Sequence, residues 1–171
     1  MSRHLYAVCV SLVAPWLPVS ALDLIYTSPP LSSVQHERVI ASLDRRWEGL
    51  QTPSPRMGVR NLFSFAIVSA EADHRLDRID LALALAEKMQ DLDQDSVTYG
   101  NFRWYWGAER PEDRNAVEFS MQDGALLWMR HRDRLPDSAR QRLARLITLS
   151  IEGIRRHRVN EAYTNIFLMK T

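Results

Sequence analysis

The sequence predicts an all-α protein built of αα-hairpin repeats. Few segments alternate with a period of two, and apolar residues instead recur at intervals of three and four. Segments that are apolar on most sides alternate along the chain with segments that have a single apolar face. Helices of the first kind touch protein on both sides, whereas the second kind keep one face in water. The chain is therefore expected to curve into part of an (α/α) toroid, with inner and outer helices.

The chain begins with a stretch that is typical of an export signal. Arg3 precedes an apolar run from Leu5 to Leu17, and small residues follow. We therefore expect a signal peptide over residues 1–21, a periplasmic or secreted bacterial protein, and no membrane association after cleavage. A buried first helix is the alternative. Residues 22–33 contain two prolines and are expected to form an extended leader.

The first three helices each have a recognisable pattern. Val34 to Leu50 has one apolar face, and the Thr-Pro-Ser-Pro sequence at 52–55 ends it. Asn61 to Ala72 is apolar throughout and is broken by Asp73-His74. Leu76 to Leu92 combines a wide apolar face with an acidic one. The order predicted is outer, inner, outer.

Three further segments complete the helical-hairpin domain, which is predicted over residues 34–171. After a long connection at 93–113, Asn115 to Arg130 is apolar nearly all round and is expected to be buried on most sides. Pro136 to His157 has one apolar face and several arginines that are expected to face solvent. A last apolar segment runs from Tyr163 to the end without a cap, so the chain is expected to be truncated at its C-terminus.

The starts of the apolar segments resemble one another. "RNLFSFAIV", "RNAVEFSMQ" and "YTNIFLMKT" align on Asn61, Asn115 and Asn165, which are 54 and 50 residues apart. A period near 50 residues corresponds to one αα-hairpin per repeat. Chance similarity of short segments is the alternative.

Charge and composition exclude several functions. The 22 basic and 21 acidic residues leave a net charge of +1, so nothing global attracts nucleic acid. The histidines lack the spacing of metal ligands, and no phosphate-binding glycine loop is present, so we predict no metal and no cofactor. The acidic stretch 71–95 and the arginine-rich stretch 130–158 are interpreted as solvated faces of outer helices, with a polyanion site as the alternative for the second.

The connection contains the sequence "YGNFRWYWG", whose aromatic density is unusual for a loop. Aromatic faces stack on pyranose rings and arginine grips carboxylates with two hydrogen bonds, so this segment is predicted to line a cleft that binds an oligosaccharide or polysaccharide. The predicted substrate-binding residues are Tyr99, Asn101, Arg103, Trp104 and Trp106. Alternatively, the even spacing of Phe102 and the two tryptophans forms a short strand-like piece that closes the end of the helices.

Candidate catalytic residues lie at the starts of two apolar helices. Asn115, Glu118 and Gln122 share one helical face, where Asn115 would orient a substrate group and Glu118 would act as an acid or base. In the structural alternative, Asn115 caps the helix and Glu118 completes an arrangement like a capping box. Tyr163 is a candidate phenolic acid or base, or else packs beside a capping Thr164.

The signal, the alternating helices and "NFRWYWG…DRN" together resemble the α/α-toroid proteins, the six-hairpin-glycosidase-like group that includes many polysaccharide lyases. In some of those lyases an Asn-aromatic-aromatic stretch before a glycine lines the cleft, and Asn101-Phe102, Trp104 and Gly107 are similar. The resemblance implies a polysaccharide lyase or hydrolase, with Asn115 stabilising a uronic carboxylate and Tyr163 moving a proton. Arg103 interrupts the aromatic run, which leaves open the alternative of a non-catalytic helical-repeat scaffold or binding module.

Overall fold

Five α-helices account for most of residues 31–157, which are the residues that the computed structural model describes. The helices are α1 (Ser33–Gln51), α2 (Val59–Glu71), α3 (Ile79–Met89), α4 (Ala116–His131) and α5 (Asp137–His157). No β-strand occurs in this range, so the all-α prediction is confirmed. The predicted signal peptide, all but the end of the leader, and Tyr163 lie outside the described residues, and the repeat and the toroid stay predictions.

The helices begin and end close to where the sequence predicts. Pro136 immediately precedes α5, and its carbonyl accepts the backbone N–H of Arg140, as expected for a proline at a helix start. The helix predicted from Leu76 to Leu92 differs from the observed one at both ends. It opens with a 3-10 turn at Leu76–Arg78, and α3 stops at Met89 because Gln90 is extended (ψ 139°). The chain there pairs with the aromatic segment instead of continuing the helix.

The core lies between α2, α3, α4 and α5. Helix α2 contacts α3 and α4, and α5 contacts the same two helices. Phe63 and Phe65 of α2 are almost completely buried among leucines from all four helices. Burial of each such side chain contributes about 1.5–3 kcal/mol. Helix α1 adds Trp47, whose ring stacks on Phe65 at 6.4 Å.

Helix α4 is only partly buried. Its Ala116, Val117 and Leu127 are inaccessible, which agrees with the prediction, but Leu126 is 46% exposed and Met129 is 72% exposed. Helices α2 and α5 pack against the opposite side of α4. The prediction that α4 is buried on most sides is therefore wrong for this strip.

The two charged stretches of the sequence face each other across α3 and α5. Arg142 donates to Asp80 (2.9 Å) and to Glu87, and Arg145 donates to the same Glu87 (3.0 Å). Arg145 is exposed, as expected for a solvated face, whereas Arg142 is only 30% exposed and differs from that interpretation. Opposite charges on neighbouring helices neutralise each other, which explains both stretches without a polyanion partner. Among residues 31–157, no helix is both long and apolar enough to cross a membrane.

Candidate functional site

The aromatic segment runs extended across the ends of α2 and α3. Trp106 N–H donates to the Met57 carbonyl (2.9 Å), Val59 N–H donates to the Trp104 carbonyl (3.0 Å), and Arg103 N–H donates to Met89 (2.9 Å). Isolated antiparallel bridges at Gly58–Tyr105 and Gln90–Phe102 complete this pairing. The strand-like alternative is therefore confirmed for this part of the connection.

The alternation of the extended segment sends its side chains to opposite sides. Phe102 points inward, is completely buried, and meets Phe63 edge to face at 5.7 Å. Tyr105 is 59% exposed. Trp104 and Trp106 are half-buried and pack against the core. The tryptophans are thus fixed on one side and accessible on the other.

Asn101 is fully buried and joins the segment to the start of α4. Its Oδ1 accepts the backbone N–H groups of Phe102 (2.8 Å) and Val117 (2.9 Å), and its Nδ2 donates to the Asp113 carbonyl (2.9 Å). One of the free N–H groups at the helix N-terminus is thereby satisfied. The amide of Asn101 is occupied within the protein, so we leave it out of the candidate sugar site despite its prediction as a sugar ligand.

Asp113 performs the capping that the sequence analysis assigned to Asn115. Asp113 Oδ1 accepts the Asn115 N–H (2.9 Å), and its carbonyl accepts the Ala116 N–H (3.3 Å). Asn115 has helical dihedral angles (φ −83°, ψ −8°) and makes no side-chain capping bond, so the predicted capping box with Glu118 is not formed. An aspartate two residues before Asn115 is a common turn-forming signal that could have indicated this role.

The same aspartate fixes Trp104. Its Oδ2 accepts the indole Nε1–H at 3.0 Å, and the Trp104 ring lies 6.1 Å from the Phe119 ring at 43°. The Arg60 guanidinium lies over the Phe119 ring, 5.3 Å from the centroid of that ring. We call Trp104, Phe119 and Arg60 the aromatic–arginine row. It lies at the N-terminal ends of α2 and α4, where Arg60 is exposed and both rings are half-buried.

Two candidate catalytic residues lie beneath this row. Asn115 is 3% exposed and Glu118 is 8% exposed. The Oδ1 atom of Asn115 receives no hydrogen bond from the described part of the chain. A buried amide oxygen without a donor costs about 1–3 kcal/mol, so a donor from outside the protein chain would stabilise it.

A carboxylate further along α4 balances the charge of the row. Burial raises the pKa of Asp123, and the positive charges of Arg60 and Arg46 offset part of that rise. Burial in turn lowers the pKa of Arg46, and Asp123 opposes that effect. Arg60 is exposed, so it is the cation of this group that is available to an anionic ligand.

Arg103 and Trp106 lie at a second location. Arg103 Nη2 donates to the Lys88 carbonyl (2.5 Å) and Nη1 to the Glu109 carbonyl (3.3 Å). Trp106 and Arg103 line a cavity of about 330 Å³. Arg103 also borders a cavity of about 600 Å³, whose other charged residues are Asp91, Asp93, Glu109, Arg110 and Glu112. This acidic lining disfavours a uronic sugar in the larger cavity.

Tyr99 packs at the far end of the connection. The Arg156 guanidinium of α5 lies 4.5 Å from the centroid of its ring. Of the predicted substrate-binding residues, Arg103 and Trp106 thus share a cavity, while Trp104 and Tyr99 make the separate contacts given above. Tyr163, the remaining predicted residue, lies outside the described range. Within residues 31–157, no group of three or more His, Cys, Asp or Glu residues is arranged to hold a metal ion.

Comparison of the chain with protein-family models gave no match. Comparisons with curated proteins and with solved structures also gave no match. The functional argument therefore depends on the geometry of the site.

Proposed function

We propose that this protein binds a polysaccharide through the aromatic–arginine row. The observation that carries the proposal is the fixed position of Trp104, which is held by Asp113 at 3.0 Å and by the Phe119 ring at 6.1 Å. A half-buried indole that a hydrogen bond and a ring contact hold in place can stack its accessible part on a pyranose ring at little cost in conformational entropy. Arg60, at the other end of the row, suits a sugar that carries a carboxylate.

Asn115 supports a hydroxylated ligand at the same place. Asp113 contacts both the Asn115 backbone and the Trp104 indole, so the two residues are held by one anchor. The Oδ1 atom of Asn115 can accept a hydrogen bond, and sugar hydroxyl groups are donors. Because this oxygen is buried, a sugar hydroxyl reaches it only when the side chains that cover it move aside.

The described residues support binding more directly than catalysis. In the catalytic version of the proposal, Asn115 stabilises a uronic carboxylate, Glu118 acts as an acid or base, and Tyr163 moves a proton in a lyase or hydrolase. The low exposure of Asn115 and Glu118 requires the substrate to reach a buried surface. Export to the periplasm or exterior and an (α/α) toroid belong to the same proposal.

The second candidate is a non-catalytic helical scaffold that binds another protein. The exposed apolar strip formed by Leu126 and Met129 on α4 favours it, since an exposed apolar face is a common feature of protein interaction sites. The two candidates differ in the residues they require. Sugar binding depends on Trp104 and Arg60, whereas protein binding depends on the strip.

Calorimetric titration with acidic and neutral hexasaccharides tests the first candidate. Trp104→Ala should weaken binding about tenfold, which corresponds to about 1.4 kcal/mol. Arg60→Gln should weaken binding of the acidic sugar only. Trp128→Ala is the matched control, because Trp128 lies outside the row, in α4, and an arginine, Arg132, lies over its ring.

The control should change affinity by less than twofold. If neither kind of hexasaccharide binds the wild-type protein, or if Trp104→Ala binds as tightly as the wild type, the row is not a sugar site. If only the neutral sugar binds, and Arg60→Gln does not change its affinity, the row is still a sugar site but its ligand is not a uronic sugar.

A further inference from the structure

A groove of about 650 Å³ lies between α3 and α5, away from the aromatic–arginine row. Its volume falls within the range of about 300–1,000 Å³ that is usual for small-molecule sites. The groove is lined by Ala84, Glu87, Lys88, Gln90, Leu92, Arg142, Arg145, Leu146 and Leu149. None of these residues has a part in the proposed sugar site.

The floor of the groove is apolar and is held in place by Gln90. Leu146 is completely buried, and Leu149 is half-buried. The Gln90 side-chain amide donates to the Gly100 carbonyl (3.0 Å), the Leu146 carbonyl (3.3 Å) and Ser150 Oγ (3.2 Å). These bonds fix the end of α3 against α5, so the groove exists without a ligand.

The rim of the groove has an excess of positive charge. Arg142 and Arg145 both bind Glu87, and Arg142 also binds Asp80. Lys88 is exposed and forms no ion pair within residues 31–157. Three cations thus face two carboxylates. Arg145 is itself 58% exposed, so it retains donors for a further anion.

We propose that this groove binds an amphipathic anion, a small molecule with a carboxylate, sulfate or phosphate head and an apolar chain. The head lies between Lys88 and Arg145, and the chain lies on Ala84 and Leu149. Leu92, which is 60% exposed at the edge of the groove, covers the end of the chain. The charge of the rim and the apolar floor are complementary to the two parts of such a molecule.

The size of the groove favours a small molecule over a helix from a partner protein. Two turns of a helix about 10 Å across occupy roughly 850 Å³, which exceeds the volume available. An extended alkyl chain is narrower and needs no polar contacts along its length. The inference does not depend on the proposed sugar site, because the two share no residue.

Calorimetric titration of the full chain with decanoate, below its micelle concentration, tests the inference. We expect saturable one-to-one binding, and we expect 1-decanol and butyrate to bind at least tenfold more weakly. Lys88→Gln should weaken decanoate binding about two- to fivefold, since it removes one charge contact near the surface. Leu92→Asp should weaken it at least tenfold, because it removes apolar contact and places a charge against the alkyl chain.

Arg155→Gln is the control, since Arg155 is an exposed cation of α5 outside the groove. It should leave the affinity within a factor of two. Absence of binding up to millimolar decanoate would overturn the inference. Equal binding of decanol, or equal loss in Arg155→Gln and Lys88→Gln, would also overturn it. The sugar titrations with Trp104→Ala report on the other site and are unaffected by either outcome.

Discussion

Replacement of Asn101 by alanine should destabilise the fold substantially. The change leaves the buried N–H groups of Phe102 and Val117 without an acceptor, and it leaves the Asp113 carbonyl with the longer bond from the Ala116 N–H (3.3 Å). Each unsatisfied buried group costs about 1–3 kcal/mol before relaxation. Because the small cavity admits some rearrangement, we expect a net loss of about 2–4 kcal/mol in the free energy of unfolding. At about 2–4 °C per kcal/mol for a chain of this length, the unfolding midpoint should fall by roughly 4–16 °C.

Urea unfolding followed by circular dichroism measures this loss, with two companion variants. Asn101→Asp keeps the oxygen that accepts both N–H groups, and at a pH low enough to protonate the carboxyl its O–H can replace the donor to the Asp113 carbonyl, so under that condition it should lose less stability than the alanine variant. Asn61→Ala changes an exposed asparagine of α2 and should stay within about 0.5 kcal/mol of the wild type. The capping role of Asn101 would be refuted if the alanine variant lost less than about 1 kcal/mol, or if protonated aspartate were as harmful as alanine.

Three other predictions concern backbone, ion pairs and pH. Gly100→Ala should lower the free energy of unfolding in urea by about 2–4 kcal/mol, because Gly100 has φ +80° and an added Cβ would lie 2.2 Å from a carbonyl oxygen of α5. Gly107→Ala is the control: Gly107 has a similar φ of +79° but lies in open space, so the loss should be only about 1 kcal/mol. Glu87→Gln should lower the free energy of unfolding by about 1–2 kcal/mol in dilute buffer, because it weakens bonds to two partly exposed arginines. The loss should be clearly smaller in 1 M salt, which screens exposed charges. A loss that does not depend on salt would contradict this prediction. Burial raises the pKa of Asp91, but hydrogen bonds from Thr98 and a neighbouring serine outweigh this and leave its pKa below the usual value, so its contribution to stability should be present above about pH 4 and lost on further acidification. Stability measured from pH 6 to pH 2 should therefore fall less steeply in Thr98→Val, and an unchanged profile would remove the assigned cause.

Helix positions were predictable because they follow from local patterns. The apolar spacing of α1, α2 and α5 and the prolines near their ends are properties of short segments, and the structure places these helices within a few residues of the prediction. The exception is the end of α3. Gln90 leaves the helix because its amide and the next backbone N–H bind partners that are distant in sequence.

The pairing of the charged stretches could not be derived from the sequence. A helix with acidic residues and a helix with arginines each have a normal composition for a solvated face. Only the packing of α3 against α5 shows that Glu87 lies between Arg142 and Arg145. Long-range contacts of this kind depend on which helices are neighbours, and periodicity carries no information about that.

The candidate site was predicted in part. Trp104 is partly accessible and anchored, but its anchor Asp113 and Arg60, which lies over the Phe119 ring, were not among the predicted residues. Arg60 lies in the first turn of α2 and comes to Phe119 only through the contact of α2 with α4. Asn101, which was predicted as a sugar ligand, instead accepts an N–H group at the start of α4. Asn115, which was the cap in the structural alternative, has a buried oxygen without a donor.

The position of the sugar is tested most directly by the fluorescence of Trp104 alone. In a variant whose other tryptophans are replaced by phenylalanine, a saturating acidic hexasaccharide should shift or quench the emission, with a midpoint equal to the calorimetric dissociation constant. Emission that stays constant while calorimetry reports binding would place the sugar elsewhere and contradict the proposed site.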